Sequence, residues 1–325
     1  MEMPGGLQSA LNEQVSNISH ENLMNAAKNI SSRYRTRDNT AKKYYIQTQE
    51  EALAYAVSRM PATFGAVYKA LNYAVSLIDL MDNSRRNISS LIDIGAGTGT
   101  AAWAAHELLD LDSIICVEHN DIMRELGQSM MLYGRDILKN AQWESFDIAA
   151  DVFNYRADLV IASYVINELD ENCWIETAEK LWAVTDNILL LVETGTPEGY
   201  RILNKIRERL LECNAYIIAP CPHENLCPLP ENDWCHFICR VQRSKLHRMA
   251  KGGDAPYEDE KYSYLALSKH KISHRGARIL RHPQIGKGHV KLDLCTQDGI
   301  KKSTYTKKDG DIYKRARKSD CGDII

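Results

Sequence analysis

The 325-residue sequence contains no run approaching the roughly 20 apolar residues that a membrane-spanning helix needs. A helical membrane protein is excluded, and no membrane partner is expected. The first stretch, MEMPGGLQSALNEQ, has no charged segment leading into an apolar core, so it does not read as a signal peptide. It also lacks the Arg-rich, acid-poor look of a transit peptide, and a cytoplasmic location is the default expectation. Internal repeats and low-complexity tracts are absent as well. In a reducing compartment the nine cysteines would stay thiols, and their odd number and wide scatter also speak against a disulfide framework. Clustered thiols then point to metal binding or chemistry. The apolar and charged fractions, 44% and 26%, are ordinary for a soluble globular protein, and the length suits two domains or one with extensions.

Net charge is only −3, but it is unevenly spread. From Arg240 to the end there are 21 Lys/Arg against 10 Asp/Glu, so the last third carries +11 and the remainder −14. A basic module on an acidic body points to a nucleic-acid surface. Candidate phosphate contacts are Arg240, Arg243, Lys245, Arg248, Lys251, Lys314, Arg315, Arg317 and Lys318.

Residues 1–88 read as a helical N-terminal region. QEEALAYAVSRM and ATFGAVYKALNYAVSLIDLM repeat apolar residues at three- and four-residue spacing, with Pro61 expected to break them or to open a second helix. Asn83–Asn87 is a polar connector. Residues 89–242 alternate short apolar strands with helices, which implies a mostly parallel sheet covered on both faces. WCHFICRVQ is a candidate last strand. Residues 243–325 form a basic, β-containing extension. KLHRMAKGGDAPYEDEKYSYLAL reads as polar with little periodicity, and turns are expected at Asp298-Gly299 and Asp309-Gly310.

The strongest local motif is LIDIGAGTGT. Gly95, Gly97 and Gly99 allow a tight turn and a close approach to the backbone, and the helix that follows favours a negative group. The spacing G-x-G-x-G differs from the dinucleotide fingerprint. With Asp93 two positions earlier, it resembles motif I of class I S-adenosylmethionine-dependent methyltransferases, whose sheet is Rossmann-like. Glu118, at the end of the next strand, can accept both ribose hydroxyls. Asp147, after a further helix, is a candidate acceptor for the adenine amino group. Enzymes that methylate exocyclic amines usually carry N/D-P-P-Y/F after the fourth strand. Here that position reads Ser163-Tyr164-Val165-Ile166-Asn167-Glu168-Leu169, without either proline. No catalytic residue is assigned.

The segment CPHENLCPLPENDWCHFIC places Cys221, Cys227, Cys235 and Cys239 within nineteen residues. Its spacing lacks the C-x2–4-C knuckle of zinc modules. Cys235 and Cys239 sit about 13 Å apart if extended at ~3.3 Å per residue, too far to ligate one metal together. Cys-Pro steps at Cys221 and Cys227 are common beside iron–sulfur clusters, whose four thiolates suit irregular loops. Cys295 is a candidate fourth ligand; His223 or His236 would instead complete a mixed zinc site.

Several stretches together resemble the methyltransferase-like assembly factors of the small ribosomal subunit, the family of mitochondrial methyltransferase-like protein seventeen and its bacterial relatives. They are RMPATFGAVYKAL, LIDIGAGTGTAAWAA, ADLVIASYVINEL, LLLVETGTPEGYRILNKIRERL, APCPHENLCPL, DWCHFICRV, HRMAKGG, YEDEKYSYLAL and GHVKLDLCTQDG…YKRARKSDCGD, in order over roughly 55–325. The resemblance implies a 4Fe-4S cluster on Cys221, Cys227, Cys235 and Cys295, leaving Cys239 and Cys321 extra. It implies a retained methyltransferase fold, binding to small-subunit rRNA in the assembling subunit, and a monomer away from the ribosome. Two other functions stay open at this point: an active S-adenosylmethionine-dependent rRNA methyltransferase, and a small-molecule methyltransferase with a structural zinc.

Overall fold

Two periodicities in the chain become two kinds of layer. The computed structural model describes residues 1–16, 18–36, 46–81, 88–148, 151, 153–251, 253–273 and 276–325; the connector expected at 83–87 lies outside them. Three helices come first: α1 (Gly5–Val15), α2 (His20–Thr36) and α3 (Gln49–Met81). The alternating part follows as β1 (Ser90–Ile94), α4 (Thr100–His106), β2 (Ser113–Val117), α5 (Asp121–Met131), α6 (Asp136–Lys139), β3 (Gln142–Glu144), β4 (Ala157–Ser163), α7 (Trp174–Ala183), β5 (Thr185–Thr194), α8 (Pro197–Glu212), β6 (Tyr216–Ala219) and β7 (Phe237–Gln242). The rest is α9 (Lys245–Lys251), β8 (Tyr257–Ser268), β9 (Arg278–Ile279), β10 (Gln284–Gly286), β11 (His289–Thr296), β12 (Gly299–Thr306) and α10 (Asp311–Lys318).

The large sheet runs β3-β2-β1-β4-β5-β8-β6, with β7 also paired to β8. The first five strands are mutually parallel; β8 enters antiparallel between β5 and β6. This order, with its late antiparallel strand, is the Rossmann-like class I methyltransferase sheet expected from the sequence. Successive side chains point to opposite faces. Leu91, Leu159, Ile161, Leu190 and Val192 therefore join one core with α3 and α4. Ile92, Val160, Ala162, Leu189 and Leu191 join the other, with α7 and α8. Burial on both faces explains why these strands read as continuous apolar runs.

Two elements differ from expectation. Pro61 does not break the N-terminal helices: α3 continues through it for 33 residues. An internal proline costs about 3 kcal/mol. Burial of Val57, Met60, Phe64, Val67 and Leu71 offsets this, at about 1.5–3 kcal/mol per large side chain. Tyr257–Ser268, read as aperiodic, is the longest strand of the sheet; its first half alternates and its second half is buried throughout. The change of pattern inside one strand hid it.

A second, antiparallel sheet is ordered β10-β11-β12, with β9 paired to β11. The β11–β12 register, Thr296 opposite Gly299, leaves Gln297-Asp298 as a two-residue hairpin loop at the expected turn. Its small core is Ile279, Val290, Leu292, Leu294, Tyr313 and Ala316, with α10 supplying the last two.

Gly65 sets how closely α3 lies on β7. A Cβ there would stand 2.7 Å from both Cys239 Sγ and Val241 Cγ1. A helical Gly→Ala change ordinarily gains about 1 kcal/mol, whereas overpacking costs about 1–3 kcal/mol. Gly65→Ala should therefore lower the urea unfolding midpoint; a raised midpoint would contradict this packing.

Candidate functional site

The glycine turn joins β1 to α4 and closes onto the ends of the neighbouring strands. Gly95, Gly97 and Gly99 all have positive φ, at 62°, 55° and 75°. At Gly95 the constraint is also contact: a Cβ would meet Val165 Cγ2 at 2.6 Å. Gly97 N donates to Glu118 Oε2 at 2.8 Å, and Asn120 N donates to Glu118 Oε1 at 2.7 Å. Asp93 is fully buried; its Oδ2 accepts from Ala102 N in the first turns of α4 at 3.0 Å, and its Oδ1 has no partner among the described residues. The turn, Asp93 and Glu118 thus form one constellation. Asp147 lies on the loop after β3, where its backbone N–H donates to Asp151 at 2.8 Å.

Acidic groups converge here. Burial pushes Glu193 up to about 7, against hydrogen bonds from Asn167, Ile166 and Thr194. Burial also raises Glu118. Glu168, in the same loop, is exposed. Asn167, the polar residue at the place of the missing motif, donates its side-chain amide to Glu193 Oε2 at 2.7 Å. Glu193 Oε1 also accepts from the backbone of Ile166 and Asn167, so the loop is pinned to the end of β5.

Sequence reasoning missed Arg59, Tyr164 and Glu260. Arg59 of α3 pairs with Glu260 of β8 at 3.0 Å, and Tyr164 Oη donates to the same carboxylate at 3.1 Å. Tyr164 takes φ 57°, a left-handed conformation that side chains rarely adopt. Arg59 stood inside the quoted RMPATF stretch. Its partnership joins three segments, however, and leaves no local spacing to read.

The cysteines build a second region. Cys221, Cys227 and Cys235, from the loops between β6 and β7, line one cavity of about 50 Å³ with Cys295 of β11. All four are free thiols. Cys295 Sγ lies 3.5 Å from His223 Nε2, and His223 Nδ1 is buried without a partner among the described residues. Among those residues no three His, Cys, Asp or Glu side chains are grouped tightly enough to hold a metal ion. Burial pushes Cys295 up to about 12 and Cys235 well above the thiol range; burial also raises Cys221, while Arg207 pulls it back.

Arg207 of α8 and Arg278 of β9 line the same cavity, each only 3% exposed. Cys239 faces α3 instead, beneath Gly65, and Cys321 Sγ donates to Leu280 O at 3.2 Å. His236 Nδ1 lies 3.1 Å from Trp234 O, away from the cavity lining.

The basic residues are unequal. Arg240 pairs with Asp259 at 2.7 Å, Lys251 with Glu258 at 2.8 Å and Lys314 with Asp311 at 2.8 Å. Arg243 is 3.8 Å from Glu258. Lys245, Arg248, Arg315, Arg317 and Lys318 have no carboxylate in ion-pair range among the described residues; all three on α10 are exposed, and Arg317 donates to Tyr313 Oη at 3.1 Å.

Desolvation pushes Asp93 up to about 7, with the Ala102 N–H pulling it down and Glu118 adding to the rise. Its folded pKa lies above the unfolded one near ~3.9, so the native state holds the proton more tightly. Its contribution to stability is full below the unfolded value and is lost as pH rises through about 7. Asp93→Asn cannot ionise and keeps an acceptor for Ala102. Urea unfolding at stepped pH should show the variant gaining on the wild type across that window and levelling off above it. A gap independent of pH would contradict a desolvated Asp93.

The family model described as mitochondrial small ribosomal subunit Rsm22 matches residues 49–325. Ribosome assembly protein METTL17, mitochondrial, of Homo sapiens is 26% identical over 299 residues, covering 86% of this chain and 63% of that protein. Rsm22-cox11 tandem protein 2, mitochondrial, of Schizosaccharomyces pombe is 25% identical over 338 residues, covering 86% and 43%. The chain thus spans between two fifths and two thirds of these relatives' lengths. Among solved structures, the plantazolicin methyltransferase BpumL with S-adenosylhomocysteine gives a TM-score of 0.43 at 12% identity, covering 82% of this chain and 100% of that one. Magnesium protoporphyrin IX methyltransferase of Synechocystis PCC 6803 gives 0.41 at 12%, covering 74% and 95%. At such scores the fold rests on the strand order itself. The cytoplasmic expectation is corrected: the matched family and relatives are mitochondrial by name, which points to mitochondria. That expectation was a default, and a default carries no positive signal. With the match extending over 49–325, the chain belongs to the Rsm22 family of the mitochondrial small ribosomal subunit.

Proposed function

We propose that this protein is an assembly factor of the small ribosomal subunit that binds its rRNA, built on a methyltransferase fold with an S-adenosylmethionine site and a structural 4Fe-4S cluster. The observation that carries the reading is that thiols from a loop of the large sheet and from the small sheet share one cavity. Cys221, Cys227, Cys235 and Cys295 would hold the cluster.

The donor set fits. A tetrahedral zinc at about 2.3 Å from each sulfur needs sulfurs about 3.8 Å apart. Thiolates that each bind a different iron of a cluster stand farther apart. When bound, the cluster supplies bonds that tie β11 to the β6–β7 loops and couple folding to metal. The 3.5 Å approach of His223 to Cys295 favours one alternative, a mixed zinc site.

For the cofactor, Asp93, Glu118 and the turn Gly95–Gly99 form the nucleoside cradle, with Asp147 toward the base. No methyl-transfer step is assigned, because Asn167 is spent on Glu193. For RNA, the unpaired cations of α10 are the first candidates, since Arg240 and Lys251 already face carboxylates.

Protein purified without oxygen should contain about four irons and four sulfides per chain, and Cys295→Ser should lose most of the iron while the large sheet's circular dichroism persists. One zinc per chain and no iron would favour the mixed site. Affinity for small-subunit rRNA should fall about a hundredfold between about 50 and 200 mM salt if roughly five phosphates are contacted. A flat salt response would remove the RNA reading.

A further inference from the structure

Buried arginines normally face a carboxylate, because an unpaired charge in a low-dielectric interior is costly. Arg207 and Arg278 do not. Among the described residues neither has a carboxylate in ion-pair range, although each is 97% buried. Their donors go to neutral carbonyls instead. Arg207 Nη2 donates to His223 O at 3.3 Å and Asn225 O at 2.5 Å, and its Nε has no partner among the described residues. Arg278 Nε donates to Pro220 O at 2.8 Å, its Nη1 to Gly322 O at 2.6 Å, and its guanidinium lies 5.4 Å from the Tyr73 ring centre.

These bonds aim and hold two cations without neutralising them. Both line the cavity of the four thiols, and they approach from different elements, α8 and β9. Resting on the proposed cluster, we infer that Arg207 and Arg278 are the internal counter-ions of the thiolate-bound centre and set its charge state. A thiolate-ligated cluster is an anion that gains further negative charge on reduction. Two fixed cations in a dry cavity stabilise the reduced form more than the oxidised one, and so raise the reduction potential. Arg207 and Arg278 act through the ligands and are positioning residues.

The test compares Arg207→Gln, Arg278→Gln, Arg207→Lys and Arg278→Lys in the full chain, purified without oxygen. Iron and sulfide are measured first, then the midpoint potential by stepwise reduction with dithionite, followed by electron paramagnetic resonance. One electron passes from dithionite to iron, and no bond to a ligand breaks. The Gln variants should be harder to reduce, each by about tenfold in the redox equilibrium, about 59 mV for one electron. The Lys variants should stay within about threefold of wild type, that is within roughly 30 mV on the same scale.

Should the Gln variants lose iron while their circular dichroism is kept, retention of iron by the Lys variants supports the same role. Equal behaviour of Gln and Lys, or intact clusters with unmoved potentials, would overturn it. Wild type without iron would instead remove the cluster reading itself, and that result appears before any variant is compared.

Discussion

A guanidinium taken out of water has to meet negative charge somewhere, and this requirement organises the lower part of the molecule. Arg278 reaches backward to Pro220 at the start of the cysteine loop and forward to Gly322 near the end of the chain. It also stacks beside Tyr73 of α3, whose hydroxyl lies 3.3 Å from Cys321 O. Arg207 fastens α8 to the His223–Asn225 turn. Helix α3, the cysteine loop, the small sheet and the C-terminus therefore meet around two buried cations. Four thiols line the same cavity as the two cations. Burial keeps free thiols protonated, as the rise at Cys235 and Cys295 indicates. Metal binding would require them to lose their protons.

The cleft around the glycine turn presents the reverse problem. There Asp93, Glu118 and Glu193 are crowded, desolvated carboxylates. Backbone N–H groups of Gly97, Asn120, Ile166 and Asn167 stabilise two of them. The Arg59–Glu260 pair and Tyr164 link this cleft to β8, and β8 also carries Tyr264, which lines the cysteine cavity. One strand thus borders both sites.

What the sequence made legible was local. The glycine turn, Asp93 and Glu118 follow each other at short distances along the chain, and one strand-turn-helix-strand unit, β1 to β2, brings them together. The alternation of faces in β1, β4 and β5 was readable as apolar runs but not as two separate cores. The cysteine grouping came from Cys-Pro steps and from the resemblance. Spacing alone could not join Cys295 to a loop so far away in sequence. Three things were hidden for physical reasons. Burial outweighed the helix-breaking cost of Pro61. Strand β8 changes pattern midway as it passes from a sheet edge to its centre. The burial of Arg207 and Arg278 is a tertiary fact that no local pattern encodes, so both were counted only as charge.

Iron anomalous scattering from crystals grown without oxygen tests the central claim most directly. One compact iron peak is expected inside the cavity bounded by Cys221, Cys227, Cys235 and Cys295, with both guanidiniums facing it and no carboxylate between. A cavity holding only water, or a single zinc bound by His223 and three thiols, would contradict it.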